Sequence, residues 1–92
     1  MIVIPNPINH MTAVQAVSED FINRATEIES TCKYNDQSDF QGAGIIYIYK
    51  YEGKKKIDIS HFSTNGRLRE IEQLAQKICL QHEGLYFNTW LN

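Results

Sequence analysis

Residues 45–62 read IIYIYKYEGKKKIDISHF, and the reading of this stretch decides the fold. Ile45, Tyr47, Tyr49 and Tyr51 alternate with Ile46, Ile48 and Lys50, a period-two run rich in β-forming residues. Glu52-Gly53-Lys54-Lys55 is turn chemistry, and Lys56–Phe62 returns as a second run with Ile57, Ile59 and His61 on one side. The two runs predict a β-hairpin. Ile46 and Ile48 suit a face covered by helices, which leaves Tyr47, Tyr49 and Tyr51 outward with Ile45. The inverted parity would bury the tyrosines instead. In either case the first run is apolar on both sides, which in so small a chain implies that its second face is also covered by something.

Upstream, Tyr34–Gly44 (YNDQSDFQGAG) is polar and glycine-bearing, a loop with Phe40 as its one apolar anchor. Before it, Val14, Val17, Phe21, Ala25, Ile28 and Cys32 recur at spacings of three and four. That stripe predicts an amphipathic helix over 12–33. Thr12 and Gln15 have the spacing of a capping box, and Asp20–Arg24 and Glu29–Lys33 are i,i+4 pairs with the acid first. Met1–Ile4 is short and β-branched, and Pro5 and Pro7 stop it, so it reads as an edge strand or an extended arm.

Downstream, Ser63-Thr64-Asn65-Gly66 offers helix-starting side chains. Leu68, Ile71, Leu74, Ala75, Ile78 and Cys79 then form the apolar stripe of a second helix, which Gly84 is placed to stop. In the tail, Leu85, Phe87, Thr89 and Leu91 alternate with Tyr86, Asn88 and Trp90, the pattern of a last strand. The expected order is β-α-β-β-α-β, the ferredoxin-like arrangement, or α-β-β-α-β if the first strand is only an arm. Both give an α+β two-layer sandwich, with two helices on one face of a small antiparallel sheet. Residues 1–92 form one domain on this reading, since no linker, repeat or low-complexity tract divides them.

Composition narrows the class. Ninety-two residues, 42% of them hydrophobic and 22% charged, suit one folded core and argue against disorder. The net charge of −2 is far from that of a strongly basic nucleic-acid binder. It is unevenly spread: residues 1–49 hold two cations against six acids, and residues 50–92 hold seven against five. Such polarity lets one face steer a partner. Cys32 and Cys79 lie far apart with no CxxC spacing, and a secreted domain this small would carry more cysteine. No basic segment precedes the apolar residues of MIVIPNPINH, and no apolar run is long enough to span a bilayer. A cytoplasmic setting with free thiols is the expectation.

Residues that could carry chemistry are few. Cys79 and His82 are one helical turn apart, but a structural zinc site wants four ligands in two close pairs. Asp58, Ser60, His61 and Ser63 are near in sequence, yet on a regular strand His61 points away from Asp58 and Ser60. There is no GxSxG, HExxH, P-loop or GxGxxG. No catalytic residue, cofactor or metal is therefore expected, and the chain reads as a non-enzyme.

Two binding readings follow. Tyr47, Tyr49, Tyr51, Tyr86 and Trp90 are of the residue types enriched at protein-binding hot spots. They predict a small regulatory module that binds another protein or associates with itself. A bacterial or phage accessory inhibitor, immunity protein or adaptor that blocks or docks on a larger partner would have this form. The alternative is a nucleic-acid-binding regulator: Lys50, Lys54, Lys55 and Lys56 surround the hairpin turn, Arg67 and Arg69 open the second helix, and the tyrosine row could stack on unpaired bases.

Overall fold

In the computed structural model, residues 10–32 and 37–91 are described, without the side chains of residues 10–13 and 37. Their order is α1 (His10–Glu29), a short 3-10 turn (Gln37–Asp39), β1 (Gly44–Glu52), β2 (Lys55–Thr64), α2 (Leu68–Gln81) and β3 (Tyr86–Leu91). This is an α+β fold, with α-β-β-α-β order among the described residues; Met1–Ile4, read from the sequence as an edge strand or an arm, lies outside them. The sheet order is β2-β1-β3, and β1 is antiparallel to both neighbours. The outer strands therefore run parallel to each other, and α2 joins them across β1 as a split β-α-β unit.

The hairpin turns through Gly53 and Lys54, and Gly53 adopts φ +65°. A two-residue hairpin needs positive φ at its first turn position, which a glycine supplies at no steric cost. Along β1 the helix-facing residues are Ile46 and Ile48, both fully buried. Val17, Phe21 and Ala25 of α1 and Leu68, Ile71, Leu74, Ala75 and Ile78 of α2 close over them. Each large side chain so buried contributes about 1.5–3 kcal/mol of transfer free energy. The opposite face of β1 carries Ile45, Tyr47, Tyr49 and Tyr51, so the tyrosines point away from both helices.

The second strand departs from simple alternation. Ile48 pairs with Ser60 but Tyr49 pairs with Asp58, so one extra residue, Ile59, is inserted opposite them. This β-bulge turns Ile59 toward the core beside Ser60. His61 then falls opposite Tyr47 on the open face, away from the core that Ile59 packs against. Ile57, Ile59 and His61 thus do not share a side as a regular strand would require.

The first helix is already formed at His10, so Thr12 lies inside it and is not the residue that flanks its start. It ends at Glu29, short of Lys33. Ser30 and Thr31 donate their hydroxyls to the carbonyls of Glu27 and Ile28, and Cys32 N–H bonds back to Glu29 at 2.9 Å in a tightened last turn. The expected Glu29–Lys33 pair cannot be placed, because Lys33 lies outside the described residues. The Asp20–Arg24 pair is present at 3.2 Å. Phe40 does not anchor its loop: it is 57% exposed.

Polar side chains join the helices at the base of the sheet. Thr64 Oγ1 accepts from the N–H groups of Gly66 and Arg67 and donates to the Glu29 carboxylate, which also accepts from Asn65 N–H. Gln41 accepts from Glu70 N–H at 3.0 Å and donates to the Glu70 carboxylate at 2.9 Å, serving α2's first turn from outside the helix. At the other side of the molecule Thr89 Oγ1 donates to Glu72, tying β3 to α2 at 2.6 Å.

Candidate binding face

The sheet face turned away from the helices is the candidate site. Tyr47, Tyr49 and Tyr51 come from β1, Tyr86 and Trp90 from β3, and the cross-strand register sets Tyr49 against Tyr86 and Ile45 against Trp90. Period-two alternation in two adjacent strands is what places all five rings on one surface. Tyr49 and Tyr86 stack at 5.7 Å between centroids, and Tyr51 meets both edge-on at 5.7 and 5.8 Å. Tyr47 stands edge-on to Trp90 at 6.1 Å and tilts over His61 at 5.7 Å. Offset and edge contacts of this kind contribute about 0.5–1.5 kcal/mol beyond area burial and hold the rings in place.

The surface is semi-open. Tyr47 and Tyr49 are half-buried by their neighbours, whereas Tyr51, Tyr86 and Trp90 are exposed. Burial, then the neighbouring phenols of Tyr51 and Tyr86, pushes the Tyr49 hydroxyl above its ordinary pKa. Its ring lies under the Lys56 ammonium, 4.2 Å from the centroid, a cation–π contact. Asp58 and His61 complete the array: the bulge at Ile59 brings both onto this face, with His61 Nδ1 and Asp58 Oδ2 3.5 Å apart. A shallow groove of about 310 Å³ runs over β1, lined by Tyr47, Tyr49, Lys56, Asp58 and Trp90. It offers flat apolar area, phenol hydroxyls and one charge of each sign.

Sequence reasoning placed the five aromatic residues but missed Asp58 and His61. The signal was present. Ile59 is odd-numbered and Phe62 is even, so both can pack on the core only if the strand breaks its alternation.

The basic residues do not form one surface. Arg67 is not available to a phosphate: its side chain is 4% exposed and donates four hydrogen bonds within the fold. It donates from Nε to Thr31 Oγ1, from Nη1 to the Asp39 carbonyl, and from Nη2 to the Thr31 carbonyl and the Asp39 carboxylate. The hydrogen bond to Asp39 raises its already high pKa. Lys50 sits on the helix side of β1, 3.6 Å from Glu52. Lys54 and Lys55 are exposed at the hairpin tip, and Arg69 is exposed at the start of α2, at the opposite end of the sheet.

Cys79 is half-buried, with burial raising its thiol pKa, and His82 is exposed past the end of α2. Among the described residues no three His, Cys, Asp or Glu side chains cluster so as to hold a metal ion. No described helix is long and apolar enough to cross a membrane. In comparisons with protein families, with curated proteins and with solved structures, nothing matches this chain.

Proposed function

We infer that the protein is a small non-catalytic binding module, and that its open sheet face docks an apolar, acid-rimmed surface of another protein. One observation carries this reading: five aromatic rings in two packed groups, Tyr49–Tyr51–Tyr86 and Tyr47–Trp90, lie side by side on the sheet face that no element of the described chain covers. Pre-ordered Tyr and Trp side chains provide contact area at low entropic cost, which is why these residues concentrate at interface hot spots. Lys54, Lys55 and Lys56 along the tip of the same hairpin favour acidic groups at the partner's rim. A role as an accessory inhibitor or adaptor, acting by occupying a larger partner's surface in the cytoplasm, is the form such a module would take.

The nucleic-acid alternative has less in its favour. Of its six basic residues Arg67 is buried, Lys50 faces the helices and Arg69 lies at the far end, which leaves only the three tip lysines beside the aromatic face.

Affinity capture from nuclease-treated lysate, run in parallel with wild type and a folded Tyr47→Ala/Tyr49→Ala variant, tests the proposal. A stoichiometric protein bound by wild type is expected to bind the variant at least about fivefold more weakly per residue replaced. Equal capture by both proteins overturns the assignment of this face. Binding that disappears with nuclease and falls steeply with salt moves the function to nucleic acid.

A further inference from the structure

The two edges of the sheet are unlike. Among the described residues β2 and β3 are both edge strands. The β2 edge carries Lys55, Lys56, Asp58 and the bulge at Ile59, the features that discourage strand addition. The β3 edge, Tyr-Phe-Asn-Thr-Trp-Leu over residues 86–91, has no charge, no proline and no bulge. Four exposed large apolar side chains lie beside it: Tyr86 and Trp90 on the open face, and Leu91 and Leu80 on the helix side, the last two 75% and 79% exposed. Leu80 shares a recess with Leu85, Tyr86 and Phe87, so the apolar border continues from the strand onto α2.

The backbone of this edge is also partly satisfied by a stand-in. Thr89 donates its N–H to the side-chain oxygen of the adjacent Asn88 at 2.9 Å, so the amide of Thr89 points away from β1. Backbone groups of alternate residues point the same way, which aims those of Phe87 and Leu91 outward as well.

We propose that β3 pairs antiparallel with β3 of a second copy of this chain about a twofold axis through Asn88, giving a continuous six-stranded sheet. The register is self-complementary. With Asn88 opposite Asn88, Tyr86 of each copy meets Trp90 of the other on the open face, and Phe87 meets Thr89 on the helix side. The outward N–H and C=O groups of Phe87 and Thr89 then bond across the axis, and the Asn88 amide is released from Thr89 to face its counterpart. Aromatic cross-strand pairs stabilise such a ladder, and no like charges oppose each other in it. Both helical layers fall on one side and both aromatic faces on the other, so the dimer presents one doubled platform. This holds whichever partner the open face binds.

Charges placed on the axis test it. Solution mass by light scattering and sedimentation is measured for wild type, Asn88→Lys, Asn88→Asp and an equimolar mixture of the two variants, over about 1–100 µM. Wild type is expected at twice the 10.7 kDa chain mass, falling toward it on dilution. Each variant alone is expected at the chain mass, because two like charges meet at the axis, and the mixture is expected to regain the dimer. Wild type at the chain mass throughout overturns the proposal. So does a dimer that persists in both single variants, or a mixture that stays monomeric. Amide exchange of wild type provides a readout free of any substitution: Phe87 and Thr89 must exchange more slowly as concentration rises, and unchanged rates overturn the pairing.

Discussion

The carbonyl of Trp90 occupies the space a side chain on Gly44 would need: a Cβ there would clash with the oxygen and lie 3.2 Å from Leu91 Cα. Glycine at the first position of β1 is therefore what lets β3 approach closely enough to bring Trp90 beside Tyr47. Gly44→Ala is expected to lower stability by about 2 kcal/mol, because the neighbour in the way is backbone and cannot swing aside. Chemical denaturation measures the loss, and near-ultraviolet circular dichroism should report a changed Trp90 environment. An unaltered midpoint would show that the two strands do not approach so closely.

Arg67 links the end of α1, the 3-10 turn and the start of α2 through a guanidinium that donates four hydrogen bonds. Lysine keeps the charge but loses the planar fork, so Arg67→Lys is expected to cost about 2–3 kcal/mol in unfolding free energy. Asp39→Asn is expected to cost less, because Asp39 is 47% exposed and water replaces part of what is lost. A lysine variant as stable as wild type would show that these bonds do not hold the base of the sheet together.

Ser60 presents the opposite case. Its hydroxyl is buried by the bulge and has no hydrogen-bond partner among the described residues. Removing an unpaired buried hydroxyl relieves its desolvation cost, so Ser60→Ala is expected to leave stability unchanged or raise it by about 1 kcal/mol. A thermal midpoint several degrees lower in the variant would mean that the hydroxyl is in fact bonded.

The half-buried Cys79 thiol sets an alkaline limit. Its pKa lies above the ordinary value of 9.0 because burial disfavours the thiolate. The unfolded chain therefore releases this proton first as pH rises, so the stability linked to it is present below pH 9.0 and is lost as pH climbs through the folded value. Tyr49, raised above 10.0, adds a loss of the same sign at higher pH. Replacing Cys79 with Val is expected to flatten the first part of the decline in denaturation curves taken across that range. In the native protein the thiol should also alkylate more slowly than a free thiol at the same pH. Alkylation at the free-thiol rate would contradict the burial.

Much of this was legible in residues close together in sequence. The stripe Leu68, Ile71, Leu74, Ala75, Ile78 repeats at helical spacing and is buried throughout. The alternation in Ile45–Tyr51 and Leu85–Leu91 grouped the rings on shared strand faces, because a strand with one covered face enforces a strict period of two. It left open which face turns outward, a choice fixed by the helices closing over Ile46 and Ile48. Arg67 could not be read in the same way. Its partners Thr31 and Asp39 are 36 and 28 positions away, and nothing adjacent to it distinguishes a buried guanidinium from a solvated one. The Asp58–His61 pair was missed for a different reason: regular alternation was assumed where Phe62 had already broken it. The distal cap that Gln41 supplies to Glu70 likewise depends on how the loop is folded back, not on helix-start residues.

Having β1 at the centre of the sheet fixes the order in which the fold can be assembled. Its pairing with β2 closes a two-residue turn, whereas its pairing with β3 joins Gly44 to Leu91, 47 positions later. Local loops close at much lower entropic cost, so the hairpin can form while the rest is still unstructured. During synthesis the central strand must then wait, with its second row of amides unpaired, until residues 86–91 have left the ribosome. For that interval the β3-facing edge of β1 is open to capture by another strand, since α2, made before β3, covers Ile46 and Ile48 on the helix face and leaves that edge bare.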